Sequence, residues 1–486
     1  MLGLNGNITS KRVGLIYVTE DGIEDYLSFY IKKLLGVADR LYVLSQTSIS
    51  DVNKIVDKGI EYISNDSFNN SMSAYIQVLL DDYIELYDDY EEIIFTTDRV
   101  FGPLYDLSSY FEMIPSDVCI WNFSDIHNIL ADDFFVMNIK QVRDGDFEYI
   151  FKKLSEYMLC QGVTEELGER FQLLLKEKGY SCYSIFDIES LYGTGEDKLF
   201  YLYDLIVKQQ YPFIPIDVFG LDKSDFLEFN NGDEITKIVN YIKLSKRYDE
   251  NLIIRYLLKH ENIADLKQIF NWTYILPNES DFDILDNGSY KVAVVAHLYY
   301  VEMFELCMDY LAKVPYGIDI IITTNSDDKK QNIIEVASEK GVKLTEVIVA
   351  ENRGRELAAL LVGCGKFLLK YKYFCFVHDK KSSAKEHLSV GLAFRDILWD
   401  SSLYSEGYIR NIIDMFEQNE CMGLAVPPTV YCGSYFYPFP DYWVGNYEKT
   451  IELSKILNIN VDIAEDRPIP CTGPVFGVGQ KHLKNY

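Results

Sequence analysis

One arrangement of segments occurs twice in this chain, and it limits the fold more than any other feature. Val13-Gly-Leu-Ile-Tyr-Val18 is a short apolar run, followed by helical periodicity from Tyr26 to Leu35 and a second apolar run, Arg40-Leu-Tyr-Val-Leu44. The same order returns as Val292-Ala-Val-Val-Ala296, a helical stretch from Val301 to Ala312, and Ile318-Asp-Ile-Ile-Ile-Thr323. Each series then reaches a buried-type strand that carries an acid at its C-terminal end, Glu91 to Asp98 in the first half and Tyr373 to Asp379 in the second. A further strand follows in each, Asp133-Phe-Phe-Val-Met137 and Pro474-Val-Phe-Gly-Val478. Repetition in this register predicts two α/β halves, each a mostly parallel sheet covered by helices.

Between them the apolar positions keep helical spacing, as in Glu166-Leu-Gly-Glu-Arg-Phe-Gln-Leu-Leu-Leu-Lys, and Pro277 to Gly288 is acidic and rich in turn formers. The expected division is an N-terminal α/β domain over 1–146, a helix-rich connector over 147–288 and a C-terminal α/β domain over 289–486. The chain ends just after the last strand, and the second domain is expected to be truncated at its end.

Charge narrows the function. The 486 residues carry 75 acidic against 46 basic side chains, a formal net charge of -29, which repels nucleic acid and the anionic face of a membrane. A phosphate-bearing ligand therefore needs a local basic cluster or a bound cation. The nine cysteines show no CxxC or metal-type spacing and read as thiols of a reducing compartment. Met1 to Arg12 lacks the layout of a signal peptide, and no apolar run is long enough to span a bilayer. The cytoplasm is the expected location.

In open α/β sheets ligands bind beyond the C-terminal strand ends. There the second half offers His297, Thr323-Thr-Asn325, Asn352-Arg-Gly-Arg-Glu356 and His378-Asp-Lys-Lys-Ser382. Arg353, Arg355, Lys380 and Lys381 supply the basic cluster, and two arginines around a glycine at a strand-to-helix turn suit bidentate phosphate contact. The same arginines would equally serve as surface partners of nearby acids. Asp379 is a candidate general base or a ligand for Mg²⁺ or Mn²⁺; otherwise it belongs to a charged turn after a core strand. His297 reads either as a donor contact or as a hydrogen-bonded structural histidine. The first half keeps Asp98 and Arg99 but has only Ser64 to Ser71 where the arginines stand, and Asp125, His127, Asp132 and Asp133 there read as a solvated loop or as base and metal ligands. Tyr431 to Trp443, ending near Asn446, is an aromatic loop suited to stacking on sugar rings or to packing on its own domain.

His297-Leu-Tyr-Tyr, Asn352-Arg-Gly-Arg, His378-Asp-Lys-Lys-Ser, Gly423-Leu-Ala-Val-Pro427, Trp443 with Asn446, and Pro470-Cys-Thr-Gly-Pro-Val-Phe476 follow one another as in the rhamnan synthesis protein F family, which the chain resembles over most of its length. The resemblance implies glycosyltransferase-A-like, Rossmann-like domains and transfer of a sugar, rhamnose in the first instance, from a nucleotide donor such as dTDP-rhamnose. The acceptor it implies is a lipid-linked or polysaccharide precursor of the cell surface, reached at the inner membrane face among other polysaccharide synthesis proteins. On this reading Asp379 is catalytic in an inverting transfer, His297, Asn352, Arg353, Arg355, His378, Lys380 and Lys381 hold the donor, and Tyr442, Trp443 and Asn446 meet the acceptor. The competing reading is a non-catalytic pair of transferase-like domains that scaffolds a synthesis complex.

Overall fold

The computed structural model describes residues 11–19, 22–50, 58–80, 89–124, 133–142, 145–161, 166–193, 198–220, 233–270, 272–282, 291–351, 353–381, 388–427, 443, 445–459, 461, 463–465 and 475–478. The chain divides into two compact units, one formed by 1–258 with 268–271 and the other by 259–267 with 272–486.

In the first unit, strands β1 (Arg12–Tyr17), β2 (Arg40–Ser45), β3 (Ile60–Ser64) and β4 (Glu92–Thr97) run parallel in the order β3-β2-β1-β4. After the two-residue strand β5 (Val100–Phe101), β6 (Ile120–Ser124), β7 (Phe134–Asn138) and β8 (Cys182–Phe186) complete the sheet as β4-β7-β6-β8, with β7 antiparallel to both neighbours. β1 is buried almost throughout because helices cover both faces, which is why its sequence is a continuous apolar run. Gly14 is required there, since a Cβ would lie 2.4 Å from Leu41 Cδ2 on the neighbouring strand. The helix Asp25–Leu34 buries Tyr26, Leu27, Tyr30, Ile31 and Leu34, the i, i+4, i+8 stripe expected of a helix on a sheet.

The stretch read as a connector begins inside this unit. The helices Asp146–Gln161 and Glu166–Lys178 place Phe147, Phe151, Leu154, Phe171 and Leu175 in the same apolar core as Val13, Leu15 and Phe95, and β8 then adds a strand beside β6. A further short strand, β9 (Ile214–Pro215), pairs with β5.

The second unit repeats the strand order. β10 (Val292–His297), β11 (Asp319–Thr324), β12 (Glu346–Val349) and β13 (Tyr373–His378) run parallel as β12-β11-β10-β13, and β14 (Leu424–Ala425) and β15 (Val475–Val478) extend the sheet through an antiparallel β13-β15 pair. Along β10 the side chains alternate: Val292, Val294 and Ala296 join a core with Phe304, Trp399 and Ile413, whereas Ala293 and Val295 join another with Leu360, Cys364 and Leu368. Both units are mixed α/β with a parallel-rich sheet.

Candidate functional site

The site is built by two adjacent strand ends. In the parallel register of β10 and β13, His297 stands opposite His378, and the next residue of β13 is Asp379, whose backbone N–H donates to His297 O at 3.1 Å. Trp399, fully buried, donates its indole N–H to His378 O at 3.0 Å and so fixes this strand end from beneath.

Asp379 is only 5% exposed, and its Oδ2 accepts two backbone N–H groups, from Tyr299 at 2.7 Å and Tyr300 at 2.6 Å. Those amides belong to the turn that follows β10. Burial pushes the Asp379 carboxyl up to about 6; the two amides and the charge of Lys329 oppose the rise without cancelling it. Oδ1 accepts no hydrogen bond among the described residues.

Both histidines are held below the usual imidazole range, in each case chiefly by burial. For His297 the neighbouring His378 and Lys329 add to the effect, and Glu356 opposes it. His297 Nδ1 lies 2.9 Å from Thr323 Oγ1, and His378 Nδ1 lies 3.0 Å from Asp379 O. Two neutral imidazoles and one carboxyl that titrates near neutrality thus share one strand-end edge.

Among the basic residues, Lys381 has its Nζ 2.5 Å from Glu302 Oε1, both largely exposed, while Lys380 is exposed and its charge disfavours protonation of His378. Arg353 and Arg355 are exposed in the turn after β12 and form no ion pair among the described residues. That turn is strained. Gly354 has φ 88°, where a Cβ would come within 2.8 Å of Ala358 Cβ, and Arg355 itself sits at φ 54°. β12 is three strands from β13, roughly 14 Å, and Glu356 is the residue of this turn whose charge registers on both histidines. Asn352, Tyr442 and Ser382 lie outside the described residues, as do Asp125, His127, Asp132 and most of the aromatic loop. Trp443 donates to Ala464 O at 3.2 Å and Asn446 Nδ2 to Trp443 O at 3.0 Å, so their described bonds remain within 443–464 and none reaches the strand-end histidines or Asp379.

Sequence reasoning passed over Lys329. It lies in the first turn of the helix Asp327–Glu339, capped by Ser326, and its Nζ bonds Asn325 Oδ1 at 2.8 Å and sits 3.7 Å from the centre of the Tyr299 ring. Its charge registers on both Asp379 and His297. The available signal was its place one helical turn beyond the polar strand end Thr323-Thr-Asn325; the run Asp327-Asp-Lys-Lys330 disguises it as a solvated face. For a divalent cation the donor set is thin, since no cluster of three His, Cys, Asp or Glu side chains occurs among the described residues and one Asp379 oxygen is taken by amides.

The first unit holds the matching positions with other chemistry. Asp98 N–H donates to Tyr17 O at 3.1 Å, and the Asp98 carboxylate accepts the Thr19 N–H at 2.7 Å and the Thr19 hydroxyl at 3.0 Å. Asp98 is wholly enclosed. Tyr17 and Thr97 stand where the second unit has its histidines, and Arg99 is paired with Asp217 at 2.5 Å.

A family model for rhamnan synthesis protein F matches residues 43–485. The chain belongs to the rhamnan synthesis protein F family. No curated protein matches this family member. Solved structures similar to it include the glycosyltransferase GlyE of Streptococcus pneumoniae TIGR4, at 14% identity over 78% of this chain and 93% of that one with a TM-score of 0.27. Another is a cytidylyltransferase of Leptospira borgpetersenii serovar Hardjo-bovis (strain JB197), at 13% identity over 55% of this chain and 100% of that one, also at 0.27. At these TM-scores the family match alone carries the assignment of this rhamnan synthesis F protein.

Proposed function

We propose that the protein is a glycosyltransferase of polysaccharide synthesis, with one working site at the β10 and β13 strand ends of its second α/β unit. The observation that carries this reading is Asp379, a buried carboxyl with one oxygen fixed by two amides, the other without a partner among the described residues, and a pKa pushed up to about 6 by burial. A base that titrates near neutrality suits removal of a proton from a sugar hydroxyl.

In the proposed step, Asp379 Oδ1 takes the proton of the acceptor hydroxyl as that oxygen forms a bond to the anomeric carbon of the donor sugar. The bond from that carbon to the diphosphate breaks, with inversion, and the electron pair leaves with the nucleoside diphosphate. Lys380, Lys381 and the arginines of the Arg353 turn stabilise the departing charge. His297 and His378, neutral at pH 7, donate hydrogen bonds to the donor without adding charge. Rhamnose as the sugar, dTDP as its carrier and a lipid-linked acceptor belong to the same proposal, drawn from the family's name and the resemblance of the motifs.

A second reading has its own observation. Asp98 clamps the loop after β1 through the Thr19 amide much as Asp379 clamps the loop after β10, so the carboxylate has a structural use in both units. On that reading the chain is a scaffold in a synthesis complex. Turnover of labelled nucleotide sugars by the purified chain, with a cell-wall glycolipid fraction as acceptor and with or without Mg²⁺ or Mn²⁺, separates the two. Transfer abolished by Asp379→Asn supports the enzyme; no transfer, and no binding of any nucleotide diphosphate by titration calorimetry, supports the scaffold.

A further inference from the structure

The helical segment from Arg355 to Leu368 is apolar on two opposite faces. It consists of one α-turn (Arg355–Ala358), a π-turn (Ala359–Gly363) and a second α-turn (Gly365–Leu368). Leu360, Cys364 and Leu368, spaced i, i+4, i+8, face the sheet and pack with Ala293, Val295 and Ile321. The extra residue of the π-turn rotates the chain so that Leu357, Leu361 and Val362 point outward, 58%, 65% and 84% exposed. Single exposed apolar side chains are ordinary, but three on one face of one helical segment form a patch.

Charge surrounds this patch. Within 353–372 stand five basic residues against one acid, Glu356, in a chain whose formal net charge is -29. Arg353 precedes the apolar face and the exposed Lys366 and Lys370 follow it. Of these, Arg353 and Lys366 have no ion-pair partner among the described residues, and Lys370 lies over its own neighbour Phe367. A second copy of the chain is a poor occupant, because two-fold pairing of this face would set like cations against one another. An apolar centre with cations at both ends matches a bilayer surface, with acyl chains beneath and anionic headgroups at the level of the lysines.

We infer that the Leu357, Leu361 and Val362 face docks the protein peripherally on an anionic lipid surface. The rest of the molecule, being strongly acidic, is repelled by the same surface, so docking occurs in one orientation. Among the described residues no helix is long and apolar enough to cross a membrane, and this contact requires none. Glu356, on the same segment, registers electrostatically on His297 and His378. Resting on the transferase reading, docking would hold the second unit at the surface where a lipid-linked acceptor presents its sugar.

Flotation of the full chain with phosphatidylcholine vesicles, and with vesicles in which phosphatidylglycerol replaces part of the phosphatidylcholine, tests the inference. The chain should float with the anionic vesicles only and be released by high salt. Lys366→Ala with Lys370→Ala should weaken partitioning roughly tenfold or more, and Leu361→Asp with Val362→Asp should abolish it. These four side chains lie on the surface and outside the proposed transfer site. Donor binding measured without lipid should stay unchanged in both variants, so a failed docking surface and a failed transferase assignment give different results. Absence of flotation by the parent chain, or equal flotation by both variants, would overturn the inference. So would a dimer in lipid-free solution that Leu361→Asp with Val362→Asp dissociates, since it would give the face to a second copy.

Discussion

Tyr300 donates its backbone N–H to Asp379 Oδ2 at 2.6 Å, so the turn after β10 is tied to the end of β13 by the same carboxyl proposed as the base of the transfer step. Asparagine in place of Asp379 keeps an oxygen for that amide and loses the basic group. Asp379→Asn should retain the circular dichroism of the parent and lose turnover by about a hundredfold to ten-thousandfold. Wild-type kcat should rise with pH through about 6 and then level off, as the carboxyl loses its proton. A profile flat from pH 5 to pH 8, as read by initial rates, would remove Asp379 from the chemistry.

The same group affects stability. Its carboxyl is raised from an ordinary 3.8 to about 6 in the folded chain, so between those values the folded state holds a proton that the unfolded state has released. Its contribution is fully present below about pH 4 and lost as pH rises to about 6, a change of about 3 kcal/mol. Asp379→Asn does not titrate. Denaturant melts should therefore show the variant gaining on the parent between pH 4 and pH 6, with a constant difference above.

Lys329 favours the ionised form of Asp379 and the neutral form of His297. Lys329→Met removes that cation while keeping the aliphatic packing on Tyr299. The rising limb of the pH-rate profile should move to higher pH, and the His297 ring protons should titrate at higher pH by NMR. A purely structural role would lower stability and leave both midpoints where they are.

Lys381 is held by Glu302 before any donor arrives. The pair is exposed, and solvent screening makes pairs of this kind weak. Glu302→Gln should free the ammonium and tighten nucleoside diphosphate binding by up to about fivefold, whereas Lys381→Ala should weaken it, both read by titration calorimetry. Equal affinity in all three proteins would move the diphosphate elsewhere.

If only the second unit binds donor, the stoichiometry is one nucleotide per chain. Arg99→Ala should leave that number and the affinity unchanged, because Arg99 serves Asp217. Asp98→Ala should instead cost about 1–3 kcal/mol by leaving the Thr19 amide without its acceptor.

The strand frame could be read from the sequence because buried parallel strands write themselves as apolar runs: Val292 to His297 and Tyr373 to His378 stand where the pattern put them, with their acids at the ends. The places of Asp379, His297 and His378 at the strand ends were legible for the same reason. Lys329 was not, since its role depends on the direction in which the Asp327–Glu339 helix leaves β11, and linear spacing does not encode direction. Nor was the fate of Lys381, because Glu302 lies far away in sequence and meets it only through the β10 and β13 pairing. The stretch after residue 147 shows helical spacing correctly, but which sheet its helices cover depends on long-range packing that periodicity leaves open.

The twin clamps, Thr19 on Asp98 and Tyr300 on Asp379, bear on how such a molecule can change over evolutionary time. Each carboxylate has a use in the fold whether or not any reaction uses it. The two units thus share a fixed acid just past the end of a central strand while the side chains beside it differ, Tyr17 and Thr97 against His297 and His378. Chemistry in either unit then depends on the few side chains set around an anchor that the fold itself requires.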